Sequence, residues 1–333
     1  MRARGDRGPA GNRFTTLIPL ILDVDTGIDD SLALLHAVAE VEADLVSVTT
    51  CAGNAGLESV TRNSLAVLEL AGRSEVEVAV GRASPLCRPL VTAPGTHGPE
   101  GIGRAKLPAP ASSPSDRPAH SLIIEMARER PGELTLVALG PLGNVADAVL
   151  AEPHLPRLLR RLVIMGGNFP DTDEPASAGG RNTAVDPEAA SIVYREFGRG
   201  GAPLPLVVGL GVTKGATILP ADLEALRGRT GDTPITRFAE EALGFRFDYN
   251  HANEGFRGAF AHDSFALDAV LDPGLVETER LPLAVETGDD SGASPRLIVN
   301  PDDEAGSDAE VAVNGDGARH VERLMNSLAR LAA

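Results

Sequence analysis

Apolar residues along this chain gather in short runs, and the segments between the runs repeat with helical spacing. Leu17 to Val24 (LIPLILDV) is an almost unbroken apolar run, which suits a strand covered on both faces. From Asp29 to Ala39 the period changes, and Leu32, Leu35 and Ala39 recur on one helical face. Ala43 to Thr50 (ADLVSVTT) returns to strand character. Further strands are expected at Val76–Val80, Leu134–Leu139, Leu162–Met165 and Leu206–Val208. Helices are expected at Val60–Ala71, Ser121–Arg130 and Pro187–Phe197. This alternation predicts an α/β fold: a doubly wound, mostly parallel sheet with right-handed crossovers and helices on both faces. In such sheets ligands bind beyond the carboxyl ends of the strands.

Two segments break the pattern. Ala93–Arg117 is rich in Pro, Gly and Ser, and positions 168–181 read NFPDTDEPASAGGR. Both are expected to be long loops, the first of them mobile, and long loops inside a compact domain are more often functional than idle. Glu286–Gly317 is expected to hold a terminal hairpin, and Ala318–Leu331 an amphipathic closing helix. No internal repeat or inter-domain linker is visible. The basic opening MRARGDRGPAGNRF lacks the apolar core and cleavage site of a signal peptide. Residues 1–16 are therefore expected to be a disordered leader before one catalytic domain, 17–333.

Composition narrows the function classes. The formal net charge is −17 and the pI about 4.8, which repels nucleic-acid backbone and anionic lipid. No apolar run approaches the ~18 residues needed to span a bilayer. Cys51 and Cys87, the two cysteines, make neither a disulfide framework nor a zinc site. The cytoplasm is the expected compartment.

The sharpest chemistry lies in Asp23-Val24-Asp25-Thr26-Gly27-Ile28-Asp29-Asp30, four carboxylates where a strand ends and a helix begins. Helix capping and the helix dipole account for one or two acidic residues there, not readily for four. Carboxylates crowded this closely call for a cation or for raised pKa values, and hard oxygen donors suit Ca²⁺ or Mg²⁺. A phosphohydrolase of the haloacid dehalogenase type, with Asp23 as nucleophile and Mg²⁺, also begins with Asp-x-Asp after a strand. It would need a Lys and further acidic residues in a pattern not found here.

DVDTGIDDSLAL resembles the DTDPGxDDAxA signature of the inosine–uridine-preferring nucleoside hydrolases, with Val24 and Thr26 as departures. Other matches follow in order: Gly53-Asn54, Thr96-His97-Gly98, Leu139-Gly140-Pro141-Leu142-Gly143-Asn144 and Met165-Gly166-Gly167. Asn182 precedes Asp186-Pro187-Glu188-Ala189-Ala190, and Ala261-His262-Asp263 closes the set. The resemblance implies calcium-dependent hydrolysis of the N-glycosidic bond of ribonucleosides to free base and ribose. It implies one Ca²⁺ held by Asp25, Asp30, Asp263 and the main-chain carbonyl of Leu139. Asp25 would take a proton from the attacking water, through an oxocarbenium-like transition state. Asp29 and Asn182 would hold the ribose hydroxyls with Asn54 nearby, while Asp23 supports the loop. His262 would help protonate the departing base, and His97 would lie over the sugar. Tyr249 and His251 fall where that family has a second mobile segment near the base. Packing and solvent exposure are the plainer readings of those two, with Tyr249 kept as a candidate contact.

The pattern breaks at the 5′ end of the substrate. Many relatives carry a Glu two residues before the matched Asn, where this chain has Gly180, and an Asn near the position of Glu174. Glu174 could reach the 5′-hydroxyl by another path, Arg181 could accept a 5′-phosphate, or the site could have lost turnover. A nucleoside-binding calcium protein on the same fold is the non-catalytic alternative. The chain has no Trp, which disfavours stacking a purine between indole rings and favours pyrimidine or broad specificity. Homodimers or homotetramers are common among such relatives.

Overall fold

The computed structural model describes residues 17–167, 180–199, 201–288, 295–299 and 307–333. The expected leader lies outside the described residues, as do parts of the expected hairpin. Eleven strands are described: β1 (Ile18–Val24), β2 (Ala43–Thr50), β3 (Glu77–Val80), β4 (Thr135–Ala138), β5 (Arg161–Met165), β6 (Leu206–Val208), β7 (Thr217–Ile218), β8 (Ala259–Phe260), β9 (Val276–Glu286), β10 (Arg296–Val299) and β11 (Ser307–Gly315).

Nine of them form one sheet in the order β10-β9-β11-β6-β5-β4-β1-β2-β3, and β7 pairs with β8 in a small ribbon. From β3 to β6, and on to β11, neighbours run parallel; β9 and β10 add an antiparallel edge. The central strands alternate between two cores. Leu20, Leu22 and Val24 face one, with Val137 and Val163. Ile21 faces the other, with Leu136, Ala138, Leu162 and Ile164. Both faces of these strands are therefore dry, which is why they read as continuous apolar runs.

The predicted first six strands and their helices are present with shifts of a few residues at their ends. The antiparallel extension corrects one expectation: it starts at Val276, ten residues before the expected hairpin. Most of β9 is exposed or half-buried, so VETERLPLAVE carries no clean alternation. A 21-residue helix, Pro234–Glu254, packs against helices Ile28–Ala39 and Gly317–Leu331 and against β8. The Ala93–Arg117 segment is largely irregular and is tethered at several points. Asn63 Nδ2 donates to Glu100 O at 2.7 Å, and Ser115 N to Val78 O at 2.7 Å.

The strand order reverses between β1 and β4, because β1 continues outward to β2 and β4 to β5. The loops after those two strands are thereby held apart, opening a crevice at their carboxyl ends. The four-aspartate segment leaves β1 at this point, and Leu139 follows β4.

Candidate active site

The loop after β1 owes its shape to Asp30. One Asp30 oxygen accepts Asp25 N at 3.2 Å; the other accepts Gly27 N at 2.9 Å and Asn54 Nδ2 at 3.1 Å. The Gly27 contact caps helix Ile28–Ala39 from one side: the Asp30 carboxylate at the third helical position accepts the N-cap N–H, and Gly27 has no side chain to return the bond. Glycine is required at two places around it. A Cβ on Gly27 would lie 2.3 Å from His97 Nδ1, and one on Gly53 would lie 2.1 Å from Asp25 Oδ2.

Asp25 is 1% exposed, Asp30 0% and Asp263 3%. Asp25 Oδ2 accepts Asn54 N at 2.7 Å, while Asp25 Oδ1 and Asp29 Oδ1 are buried without a hydrogen-bond partner. One carboxylate oxygen from each of Asp29, Asp30 and Asp263 lies within 4.8 Å of the others. Burial, reinforced by the neighbouring carboxylates, pushes Asp25 and Asp263 well above the usual range. The same causes push Asp30 up to about 6. Burial also opposes ionisation of Asp29, but His97, His262 and Arg246 hold its carboxyl below the ordinary value.

These features fit a cation. Hard oxygen donors converge in a buried place, two oxygens lack partners, and ionisation is suppressed where a positive ion would restore it. The tightest group contains Asp29 rather than Asp25, which adjoins it through Asp30. The carbonyl of Leu139 accepts from Asn182 Nδ2, which also reaches Met165 O at 3.3 Å, so both residues border the acidic group.

Above the acidic group is a cavity of about 210 Å³ lined by Asp29, Asn54, Thr96, His97, Leu139, Met165, Gly166, Gly180, Arg181, Asn182, Leu210, Arg246, His262 and Asp263. His97 Nδ1 accepts from Ile28 N at 3.1 Å, which places its proton on Nε2. His262 Nδ1 pairs with Thr213 Oγ1 at 2.7 Å, and its ring packs on Phe260. Burial lowers both histidines to about 4. Arg181 donates to Gly53 O at 3.3 Å and to Val91 O at 2.7 Å.

Most of the residues singled out in the sequence therefore meet here. Asp25 and Asp30 lie outside the cavity lining, next to Asn54. Asp23 is fully buried; one oxygen is held by Thr49 Oγ1 at 2.6 Å and Asn144 Nδ2 at 2.8 Å, and burial raises it to about 6. It too is outside the cavity lining, and its bonds tie the end of β1 to β2 and to the helix after β4. Tyr249 lies in the last turns of helix Pro234–Glu254, outside the cavity lining, with the Arg246 guanidinium 5.9 Å from its ring centroid. His251 is exposed. Glu174 lies outside the described residues. Arg246 was not singled out; its only signal was its place one helical turn before Tyr249.

The comparisons with known proteins agree on the kind of molecule. A family model described as inosine-uridine preferring nucleoside hydrolase matches residues 20–322. A pyrimidine-specific ribonucleoside hydrolase of Enterobacter sp. strain 638 is 38% identical over 271 residues, covering 81% of this chain and 84% of its own. A probable uridine nucleosidase of Oryza sativa subsp. japonica is 35% identical over 270 residues, covering 80% and 81%. Among solved structures, a plant nucleoside hydrolase superposes with a TM-score of 0.84 at 30% identity over 93% of this chain and 98% of its own. A purine-preferring ribonucleoside hydrolase from Gardnerella vaginalis also reaches 0.84, at 26% identity over 94% and 99%.

Proposed function

The chain belongs to the inosine–uridine preferring nucleoside hydrolase family and is a nucleoside N-ribohydrolase, and from that premise we propose calcium-dependent base release with Asp25 as general base. The observation that carries the reading is the pair of partnerless oxygens, Asp25 Oδ1 and Asp29 Oδ1, inside a buried acidic group. Asp25, Asp30, Asp263 and the Leu139 carbonyl would hold the ion, with Asp29 at its edge. Bound Ca²⁺ would neutralise these carboxylates, favour binding of the ribose diol and make the attacking water more acidic.

The chain's own groups supply the rest. Asn54 N fixes Asp25 through Oδ2, leaving Oδ1 to take the proton of the water. Asp29 stays ionised and accepts hydrogen bonds from ribose hydroxyls. Asn182 aligns the Leu139 carbonyl and borders the sugar with Asn54. His262, fixed by Thr213, is neutral at pH 7 and gives the departing base an N–H hydrogen bond rather than a full charge. His97 closes the opposite wall. Burial of Asp25, Asn54, His97 and His262 strengthens their electrostatic contacts on the way to the oxocarbenium-like state.

Residues 17–333 act as one catalytic domain. Among the described residues no helix is long and apolar enough to cross a membrane, and we place the enzyme in the cytoplasm as a homodimer or homotetramer. Named relatives act on pyrimidine nucleosides, and the absence of Trp favours pyrimidine or broad specificity here. A second reading concerns the 5′ group. The cavity shares Gly180, Arg181 and Leu210 with a neighbouring one of about 750 Å³, so Arg181 stands where a 5′-phosphate could be held.

The test is base release from ribonucleosides and their 5′-monophosphates, with calcium, after chelation, and in Asp25→Ala. Calcium-dependent release that vanishes in the variant is expected. Release that survives chelation would remove calcium from the account, and tight nucleoside binding without release would point to a binding protein. Equal cleavage of nucleoside and monophosphate would remove the phosphate reading.

A further inference from the structure

Behind the acidic group lies a second buried polar cluster that the reaction does not use. Asp268 receives His36 Nε2 on one oxygen at 2.8 Å and His320 Nδ1 on the other at 2.7 Å. All three side chains are 0% exposed. The chain of contacts continues at both ends. His320 Nε2 meets Ser264 Oγ at 3.0 Å, beside Asp263. His36 Nδ1 meets Ser327 Oγ at 2.8 Å, and Ser327 Oγ meets Glu40 Oε1 at 2.6 Å. Arg323 Nε lies 3.3 Å from Asp268 Oδ1 and also bonds Glu40.

A His–Asp–His trio could suggest a metal site, but both carboxylate oxygens already accept hydrogen bonds and a guanidinium stands against one of them. A cation there would displace those donors and face Arg323. The cluster is instead a complete hydrogen-bond network, and its placement is informative. His36 is on the helix that begins with Asp29 and Asp30, and Asp268 is on the helix that begins with His262 and Asp263. His320, Arg323 and Ser327 come from the closing helix, Gly317–Leu331. Asp30 and Asp263 stand at the first turns of two different helices, so their approach depends on how those helices are held against each other.

We propose that Asp268 is a positioning residue: through His36 and His320 it holds the two aspartate-bearing helices in the register that lets Asp29, Asp30 and Asp263 converge on one cation. The network fixes the two helices before the ion arrives, so binding does not have to draw them together. The proposal rests on the calcium reading above, and its test separates the two.

Calcium affinity is measured by titration calorimetry, alongside kcat, for wild type, Asp268→Asn and Leu324→Ala. Leu324 is a fully buried core residue of the closing helix, so its truncation lowers stability while removing no donor or acceptor of the network. Asp268→Asn should bind calcium about tenfold more weakly, with the calcium-induced rise in Tm reduced, while Leu324→Ala keeps wild-type affinity. Wild-type affinity in a destabilised Asp268→Asn would overturn the proposal. If Asp268→Asn does not fold, Ser264→Ala decides, since it removes only the His320 link beside Asp263; weakened binding supports the proposal and unchanged binding overturns it. If wild type binds no calcium, the calcium reading fails by itself. The positioning role then stands or falls on whether kcat drops in Asp268→Asn but not in Leu324→Ala.

Discussion

Gly53→Ala tests the placement of Asp25 without changing any charge or donor. The added Cβ would sit 2.1 Å from Asp25 Oδ2, 2.9 Å from its Cγ and 3.0 Å from its Cβ, so the whole carboxylate stands in the way. Ordinary contact begins near 3.4 Å, and the carboxylate or the Gly53 backbone must therefore move by about 1.3 Å. Asp25 is too buried to swing into solvent. Moving it breaks the 2.7 Å bond from Asn54 N, a loss of about 2 kcal/mol for a buried charge-assisted hydrogen bond. A general base displaced by about 1 Å loses on the order of a hundredfold in rate. Steady-state kinetics and thermal melts of Gly53→Ala beside Gly56→Ala make the comparison. A Cβ on Gly56 meets nothing within 4 Å, so that variant should match wild type in rate and stability. Gly53→Ala should fold, melt lower and lose about two orders of magnitude in kcat. A Gly53→Ala enzyme that melts lower than wild type yet keeps kcat within about threefold would count against the assignment of the proton transfer to Asp25.

In the metal-free protein the buried aspartates and the buried histidines change stability in opposite senses as pH rises through about 6. Asp23 and Asp30 have folded pKa values near 6, above their unfolded values near 4, so their contribution is fully present below pH 4 and is lost as pH rises through 6. His97 and His262, lowered to about 4, contribute stability that is present above about pH 6.5 and lost on acidification, so the aspartates are read apart from them only above about pH 7. Melts from pH 7 to 8 should show a metal-free Tm that falls and that calcium holds level, and a metal-free Tm that climbs there would contradict the raised carboxylates. Asp268 acts in the opposite sense. Its histidine partners overcome burial and hold it below the usual carboxylate range, so its contribution is present above about pH 4 and is lost on acidification. Asp268→Asn should therefore blunt the acid limb of the same curve. Arg246→Gln should lower kcat/KM by about tenfold, the loss of one charged contact in the cavity wall. Steady-state kinetics check this, and an unchanged kcat/KM would remove Arg246 from the substrate wall.

The sequence was legible wherever the physics is local. A strand buried on both faces must be apolar throughout, so β1, β2, β4 and β5 could be read directly, and with them the parallel sheet. Four aspartates across eight residues announce a charge problem whatever the fold, and the capping role of Asp30 follows from its distance to Gly27. Other features depend on partners remote in the chain. Strand β9 is polar and largely exposed, and is a strand because β11 and β10 pair with it. Arg246 enters the cavity because helix Pro234–Glu254 packs against the helix that begins with Asp29 and Asp30, and its place one turn before Tyr249 says nothing of that packing. His36, Asp268 and His320 are separated by 232 and 52 positions, and each alone reads as an isolated polar residue in an apolar helix face. Only packing three helices together turns them into a network, because a hydrogen bond needs its two atoms within about 3 Å and the sequence carries no record of that distance.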